Sequence, residues 1–255
     1  MDASKTKFSH TSVPSVLVVI PTYNERDSIH SVIERLWGAL PEVHVLIVDD
    51  NSPDGTGEIA NRLAQEDRRL NVLHRPRKSG LGTAYIEGFL WGLARNFEVL
   101  VEMDADGSHR PEELPALIQG LTAADLVLGS RWIDGGQVVN WSSMRQALSR
   151  AANWYARLVL AVDVRDVTAG FRAYRRNTLE GLPLTTISSE GYAFQIDLTL
   201  RVHEQGLVIT EVPITFVERE TGSSKMSLAI IAEAFWNVAV WGVRRATRRV
   251  GPVMR

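Results

Sequence analysis

The chain has no cysteine, which removes a disulfide framework and any thiolate metal site. It has no run of roughly 18 apolar residues, so no transmembrane helix is predicted. The opening stretch, MDASKTKFSHTSVPS, lacks the apolar segment of a secretory signal and reads as a loose polar tail over 1–14. Neither sign of charge dominates. The 28 Lys and Arg against 30 Asp and Glu leave a net charge of −2, which argues against a nucleic-acid binder driven by overall charge. No Pro/Gly/Ser-rich linker and no internal repeat interrupts the chain. The expectation is one domain over 15–226, a C-terminal helix and basic tail over 227–255, and a cytoplasmic protein whose membrane contact is peripheral.

What is present is an ordinary globular composition, 45% hydrophobic over 255 residues, enough for one large α/β core. The continuous apolar run Val16–Ile20 reads as a buried parallel strand, and Val43–Val48, Val99–Met103 (broken only by Glu102) and Asp125–Gly129 read as further strands. Helical patterns separate them, and a short strand is expected at Asn71–His74. This alternation predicts a doubly wound, mostly parallel sheet flanked by helices. Beyond Ser130 the expectation is a loop over Arg131–Ser143, a helix over Met144–Leu160, a turn and strand over Asp166–Tyr174, a helix over Phe194–Gln205 and one strand over Val208–Val217.

Polar residues gather after each strand's carboxyl end, where open α/β sheets bind ligands. The stretch VLVEMDADGSHRP is the centre of this pattern. Residues two apart at a strand end lie on one side, so Asp104 and Asp106 aim together. Paired carboxylates repel unless a cation or proton sits between them, and hard oxygen ligands suit Mg²⁺ or Mn²⁺ carrying substrate phosphates. An Asp-x-Asp alone is equally a solvated helix cap.

The remaining motifs narrow that choice. PTYNE follows the first strand, VDDNSPDGT the second, then KSGLG, MDAD, DVTAGFRAYRR, SEGYAFQIDLTLRV and EVPITFVERETGSSKMS in order. With this set the chain resembles the family-2 inverting glycosyltransferases of the GT-A (Rossmann-like) fold. Within them it resembles the dolichol-phosphate or polyprenol-phosphate mannose synthases without transmembrane helices. The resemblance runs from about Val16 to Val243.

That resemblance implies a nucleotide pocket of Pro21, Tyr23, Glu25, Val48 and Asp50, with Ala105 alongside Asp104 and Asp106. Tyr23 offers a face to a guanine ring, and Glu25 and Asp50 accept from base N–H or ribose hydroxyls. Taken singly, Tyr23 is equally a half-buried strand-end aromatic and Asp50 a helix cap. Lys78 and the Gly80-Leu81-Gly82 turn serve the diphosphate, without a Walker pattern. The family's metal site pairs the second aspartate with a glutamine two residues later. Here Asp106 matches, and Ser108 stands at the glutamine position. Asp104 is a ribose, sugar or metal contact. His109 is too soft a ligand for Mg²⁺, which leaves capping or structural duty.

An acceptor phosphate beside an anionic nucleotide sugar needs cations, and Arg131, Arg145, Arg219 and Lys225 are the candidates. Arg145 with Ser149 matches the family's R-x-x-x-S, while Arg219 and Lys225 sit in a Gly/Ser-containing loop. The catalytic set implied is Asp104, Asp106, Arg145, Arg219 and Lys225, and the reaction is mannose transfer from GDP-mannose to a polyprenyl monophosphate. A UDP-glucose-dependent relative is the alternative enzyme, and a silent nucleotide-binding scaffold the alternative class. Leu228–Val243, followed by Arg244, Arg245, Arg248 and Arg249, is too short to span a bilayer unaided. It reads either as an amphipathic helix on a membrane surface or membrane-protein subunit, or as a helix packed on the core.

Overall fold

The computed structural model describes residues 14–187, 189, 191–218 and 228–249, with side chains in the last helix at 233–245 and 247. Strand β1 (Val16–Thr22) opens the chain and is followed by α1 (Ile29–Ala39), β2 (His44–Asp49), α2 (Thr56–Glu66) and β3 (Leu70–His74). Helix α3 (Leu81–Leu93) leads to β4 (Val99–Glu102). A single 3₁₀ turn over Pro111–Glu113 then enters α4 (Leu114–Gly120). Next come β5 (Leu126–Ser130), β6 (Gln137–Val139), α5 (Ser143–Leu160), β7 (Arg172–Arg175) and α6 (Arg176–Glu180). Helix α7 (Gly191–Glu204), β8 (Ile209–Pro213), β9 (Thr215–Val217) and α8 (Leu228–Arg249) complete the order.

Seven strands form one sheet in the order β3-β2-β1-β4-β7-β5-β8. The pairs β1–β2, β2–β3, β1–β4 and β5–β8 are parallel, and β7 alone runs antiparallel, between β4 and β5. The chain winds outward on opposite sides of β1, so the crevice at the carboxyl ends of β1, β2 and β4 is the sheet's topological switch point. Both faces of the sheet are buried, each by its own apolar cluster. That is why the central strands read as apolar runs, broken in β4 only by Glu102. Gly88 lets α3 lie directly on β1, because a Cβ there would collide with Val19.

The expected strand over Val208–Val217 divides. Pro213 has no N–H for a ladder, and the chain crosses there from the main sheet to a two-stranded parallel sheet of β6 and β9. Segment Arg131–Ser143, expected as a loop, supplies β6 by that pairing. A three-residue strand made by a partner 78 residues away leaves no local periodicity (Gln137 opposite Thr215).

Helix α8 is amphipathic in the way both readings require. Ala234 and Val238 are buried against α5 and α7, whereas Trp236 is 70% and Val243 65% exposed. Among the described residues no helix is long and apolar enough to cross a membrane.

Candidate active site

Pro21 lies near the end of β1, and the loop after it carries Tyr23 and Glu25. The Glu25 backbone N–H donates to Thr56 Oγ1 (3.0 Å), and the Asn24 N–H donates to Ser52 Oγ (3.1 Å). The loops after β1 and β2 are thereby stitched together. Asp49 and Asp50 then divide the labour at the end of β2. Asp49 accepts from Thr22 Oγ1 (3.0 Å) and from the Ser52 N–H (3.1 Å) and hydroxyl (2.5 Å), so it builds the turn. Asp50 turns into the crevice and is only 6% exposed, with Val48 beneath it fully buried.

Asp50 is held by a buried guanidinium that the sequence reading passed over. Arg75 pairs with Asp50 Oδ1, while Asp50 Oδ2 accepts the Ser79 N–H (3.1 Å). Arg75 also donates to Thr83 Oγ1 (2.7 Å), Glu87 Oε1 (3.2 Å) and the Gly80 carbonyl (3.4 Å). One side chain therefore fixes both Asp50 and the KSGLG turn. The Lys78 ammonium stands 4.1 Å over the Tyr23 ring, which brings the two residues together at one mouth. In the sequence Arg75 looks like one more loop cation of HRPRK. Its only signal is its place at a strand's carboxyl end.

The Asp-x-Asp follows β4. Asp104 Oδ1 accepts from the Tyr85 hydroxyl (3.3 Å), and the Asp104 backbone N–H donates to His109 Nδ1 (3.1 Å). That bond makes Nδ1 an acceptor, and the ring is 5.3 Å from Phe171 in a stacked pose. His109 thus braces the turn, the capping duty expected of it. Asp106 Oδ1 accepts the Ser108 N–H (3.0 Å) across Gly107, whose φ of +76° suits glycine. Ser108 is buried, and its carbonyl takes the Val217 N–H (3.0 Å). Ala105 is buried between the two aspartates.

Beneath Asp104 lies Glu102, fully buried. It accepts from Tyr174 Oη (2.9 Å) and Gln195 Nε2 (2.6 Å). Burial pushes its carboxyl up to about 7, against the opposing pull of Arg172, Gln195 and Tyr174. Burial, with the nearby Asp104 and Glu102 charges, also raises the Tyr85 phenol well above its ordinary range.

A second wall of the crevice runs from β5 to α8. Arg131 is buried and bound bidentately to Asp166, Nε to Oδ2 and Nη2 to Oδ1, both 2.7 Å. Burial alone would push the Asp166 carboxyl up. The Arg131 charge and hydrogen bonds outweigh it and hold the carboxyl below its usual value. Arg145, four residues before Ser149 on α5, pairs with Glu218 and lies 4.0 Å over the Trp141 ring. From these two arginines an apolar groove runs between α5, α7 and α8, past Leu148, Tyr155, Ile196 and Phe235. Tyr155 and Phe235 stack at 4.8 Å across it. Leu148, which lines the groove, shares one side of α5 with Met144 and Leu158, and the three are 46%, 78% and 65% exposed. Arg219, Lys225, the Arg248 and Arg249 side chains and the tail over 1–13 lie outside the described residues.

Among the described residues no group of three or more His, Asp or Glu side chains is placed to hold a metal. Two carboxylates of one turn, Asp104 and Asp106, fit a hard cation that arrives with phosphates and fills its remaining positions from them and from water. They do not fit a permanently caged ion.

These features agree with what the chain is similar to. Residues 17–182 match the profile of glycosyl transferase family 2. The polyprenol monophosphomannose synthase of Mycolicibacterium smegmatis is 54% identical over 241 residues, 94% of this chain and 91% of that one. The undecaprenyl-phosphate mannosyltransferase of Micrococcus luteus is 54% identical over 228 residues, 89% of this chain and 94% of that one. Glucosyl-3-phosphoglycerate synthase from Mycobacterium tuberculosis, solved with phosphoglyceric acid, superposes with a TM-score of 0.65 at 21% identity, covering 91% of this chain and 80% of that one. The same enzyme has been solved with Mn²⁺, uridine diphosphate and its product, at a TM-score of 0.65, 22% identity, and cover of 91% of this chain and 80% of that one. At such identity the likeness concerns the fold, which is GT-A. The chain belongs to glycosyl transferase family 2, and it is a glycosyltransferase.

Proposed function

We propose that the protein transfers mannose from GDP-mannose to a polyprenyl monophosphate, with a divalent metal and with inversion at the anomeric carbon. The observation that carries this reading is the groove. Its inner end carries the guanidinium groups of Arg131 and Arg145, paired with Asp166 and Glu218, and its outer end opens on the exposed apolar Leu148 of α5 and Phe235 of α8. That polarity matches an acceptor with a phosphate at one end and a hydrocarbon chain behind it. Relatives named for polyprenol-linked and undecaprenyl-linked mannose, each 54% identical over most of the chain, support the same substrate class.

In this reading Tyr23 faces the base and Glu25 and Asp50 accept from base or ribose. Lys78 neutralises the diphosphate, with Pro21, Val48 and Ala105 forming the pocket floor. Asp104 meets ribose, sugar or metal, and Asp106 with Ser108 holds Mg²⁺ or Mn²⁺, which when bound supplies positive charge to the departing diphosphate. Arg145 and Ser149 hold the acceptor phosphate. Arg131, its charge balanced by the buried Asp166, fixes the end of the groove and the direction of its guanidinium. Arg219 and Lys225 share the charge of the leaving nucleotide. The acceptor phosphate is anionic at neutral pH, so it attacks without a dedicated base. A single in-line displacement leaves a β-linked product. The protein works as a peripheral protein on the cytoplasmic face of a membrane, docked through α8 or held by a membrane subunit.

The test is transfer of labelled sugar into the lipid phase from GDP-mannose or UDP-glucose to a short polyprenyl phosphate, with and without EDTA. Chelator-sensitive transfer from GDP-mannose alone is expected. Transfer from UDP-glucose alone would overturn the donor assignment, and transfer untouched by EDTA would overturn the metal.

A further inference from the structure

Outside the groove, the flank of α5 next to its exposed apolar stripe carries a cluster of different chemistry. Arg150, Trp154 and Arg157 recur at four and three residues and so share one side of the helix. Trp132, from the turn after β5, and Arg165, from the loop before β7, complete a shallow open cavity with them. Three arginines and two tryptophans line it. Arg150 stacks 4.4 Å over Trp132, and Trp154 is 63% exposed.

The charges here are poorly neutralised. Arg157 meets Asp163 at 2.9 Å, but that carboxylate is 98% exposed, so the pair is weak. Glu211 takes the backbone N–H groups of Arg165 and Asp166 (2.7 and 2.9 Å), which fixes the loop. Neither the Arg150 nor the Arg165 guanidinium makes an ion pair or hydrogen bond among the described residues. Trp132 Nε1 and Arg157 Nε, buried atoms of two of the lining residues, have no acceptor among the described residues.

We infer that Arg150, Arg157 and Arg165, framed by Trp132 and Trp154, bind the headgroup phosphate of an anionic phospholipid in the bilayer, at a site separate from the acceptor phosphate. The occupant follows from charge and position. The cavity is cationic, tryptophan belongs at the headgroup level of a membrane, and the adjacent Met144, Leu148 and Leu158 are exposed and apolar, suited to the acyl layer below. Seated this way, α5 lies against the bilayer and the mouth of the groove faces it. The inference rests on the reading that the acceptor is membrane-borne.

The experiment is vesicle co-sedimentation of the full chain, on phosphatidylcholine alone and on phosphatidylcholine mixed with phosphatidylglycerol. Each basic side chain at an anionic surface contributes about fivefold to partitioning, so R150Q/R165Q should lose about 20- to 30-fold on the anionic vesicles. On neutral vesicles it should match the wild type. R62A/R68A removes the same charge from α2 and the turn after it, beside the opposite edge strand β3, and should change nothing. Four results would overturn the site: no binding of the wild type to anionic vesicles, undiminished binding of R150Q/R165Q, an equal loss on neutral vesicles, or an equal loss in R62A/R68A. Glutamine keeps part of each aliphatic stem, including the one that Arg150 sets against Trp132, and a melting curve checks the fold. Transfer to a short polyprenyl phosphate in detergent is measured in parallel and should be unchanged in R150Q/R165Q. Its absence in the wild type would count against the proposed reaction and leave the vesicle result to stand by itself.

Discussion

Replacing Asp166 by asparagine should destabilise the protein severely although it removes no apolar contact. Asp166 is fully buried and takes four hydrogen bonds: from the Arg131 backbone N–H (3.0 Å), Nε (2.7 Å) and Nη2 (2.7 Å), and from Thr168 Oγ1 (3.2 Å). An asparagine keeps one oxygen but turns an NH₂ towards the guanidinium, donor against donor. The Arg131 charge, itself 5% exposed, is then left without its anion. Breaking such a pair from one side costs about 3–5 kcal/mol. For a chain of this size that is a fall of roughly 6–20 °C in Tm. The carboxyl is held below its usual value in the folded state. Its contribution is therefore complete above about pH 4 and is lost only as the pH falls through the native value. The deficit of D166N in urea melts should thus be constant from about pH 5 to pH 8. In R131M/D166L, where both charges are gone, most of the loss should be recovered. A D166N loss below about 1 kcal/mol would refute the assignment of Arg131 as a residue whose charge the fold itself neutralises.

Three further expectations follow from the same coordinates. Glu102 is raised to about 7, so its proton is held in the folded state and not in the unfolded one. Its contribution to stability is then complete below about pH 4.3 and falls by about 3 kcal/mol as the pH rises to 7 and beyond, so in urea melts at stepped pH the wild type should lose more over that range than E102Q; the same pH slope in both would sink the point. R75M frees Asp50 and the KSGLG turn together, so with the donor proposed above calorimetric GDP affinity should fall by about tenfold or more, whereas affinity equal to the wild type's would mean the clamp is dispensable. G242V sets a side chain against Val159, whose carbonyl is already 3.3 Å from a Cβ at that position, so α8 should separate from α5. The expected cost is about 1–3 kcal/mol, with faster amide exchange in α8, and native exchange would refute the close crossing.

The alternation of apolar runs with helical patterns was enough to give the doubly wound sheet, because strands buried on both faces have little choice of side chain. The crevice was legible for a related reason. Tyr23, Asp50, Lys78, Asp104 and Asp106 each follow a strand's carboxyl end, and a parallel sheet brings those ends together. For His109 the sequence leaves capping or structural duty, and the Asp104 N–H donates to its ring.

What the chain by itself could not disclose is how its charges are spent. Arg75, Arg131 and Arg145 look alike in sequence. One is a buried clamp on Asp50, one is locked to Asp166, and one pairs with Glu218 across a turn of the crevice wall. Those partners lie 25, 35 and 73 residues away. Periodicity reports only which side of an element is buried, and not which distant carboxylate meets it. The same holds for β6, for the division of β8 from β9, and for α8, whose apolar run is compatible with a core or a membrane. Local composition determined the elements and the edge at which chemistry occurs. Tertiary packing decided which cations are structural, which face the groove, and which side of α8 remains exposed, because each of those depends on pairings between segments far apart in sequence.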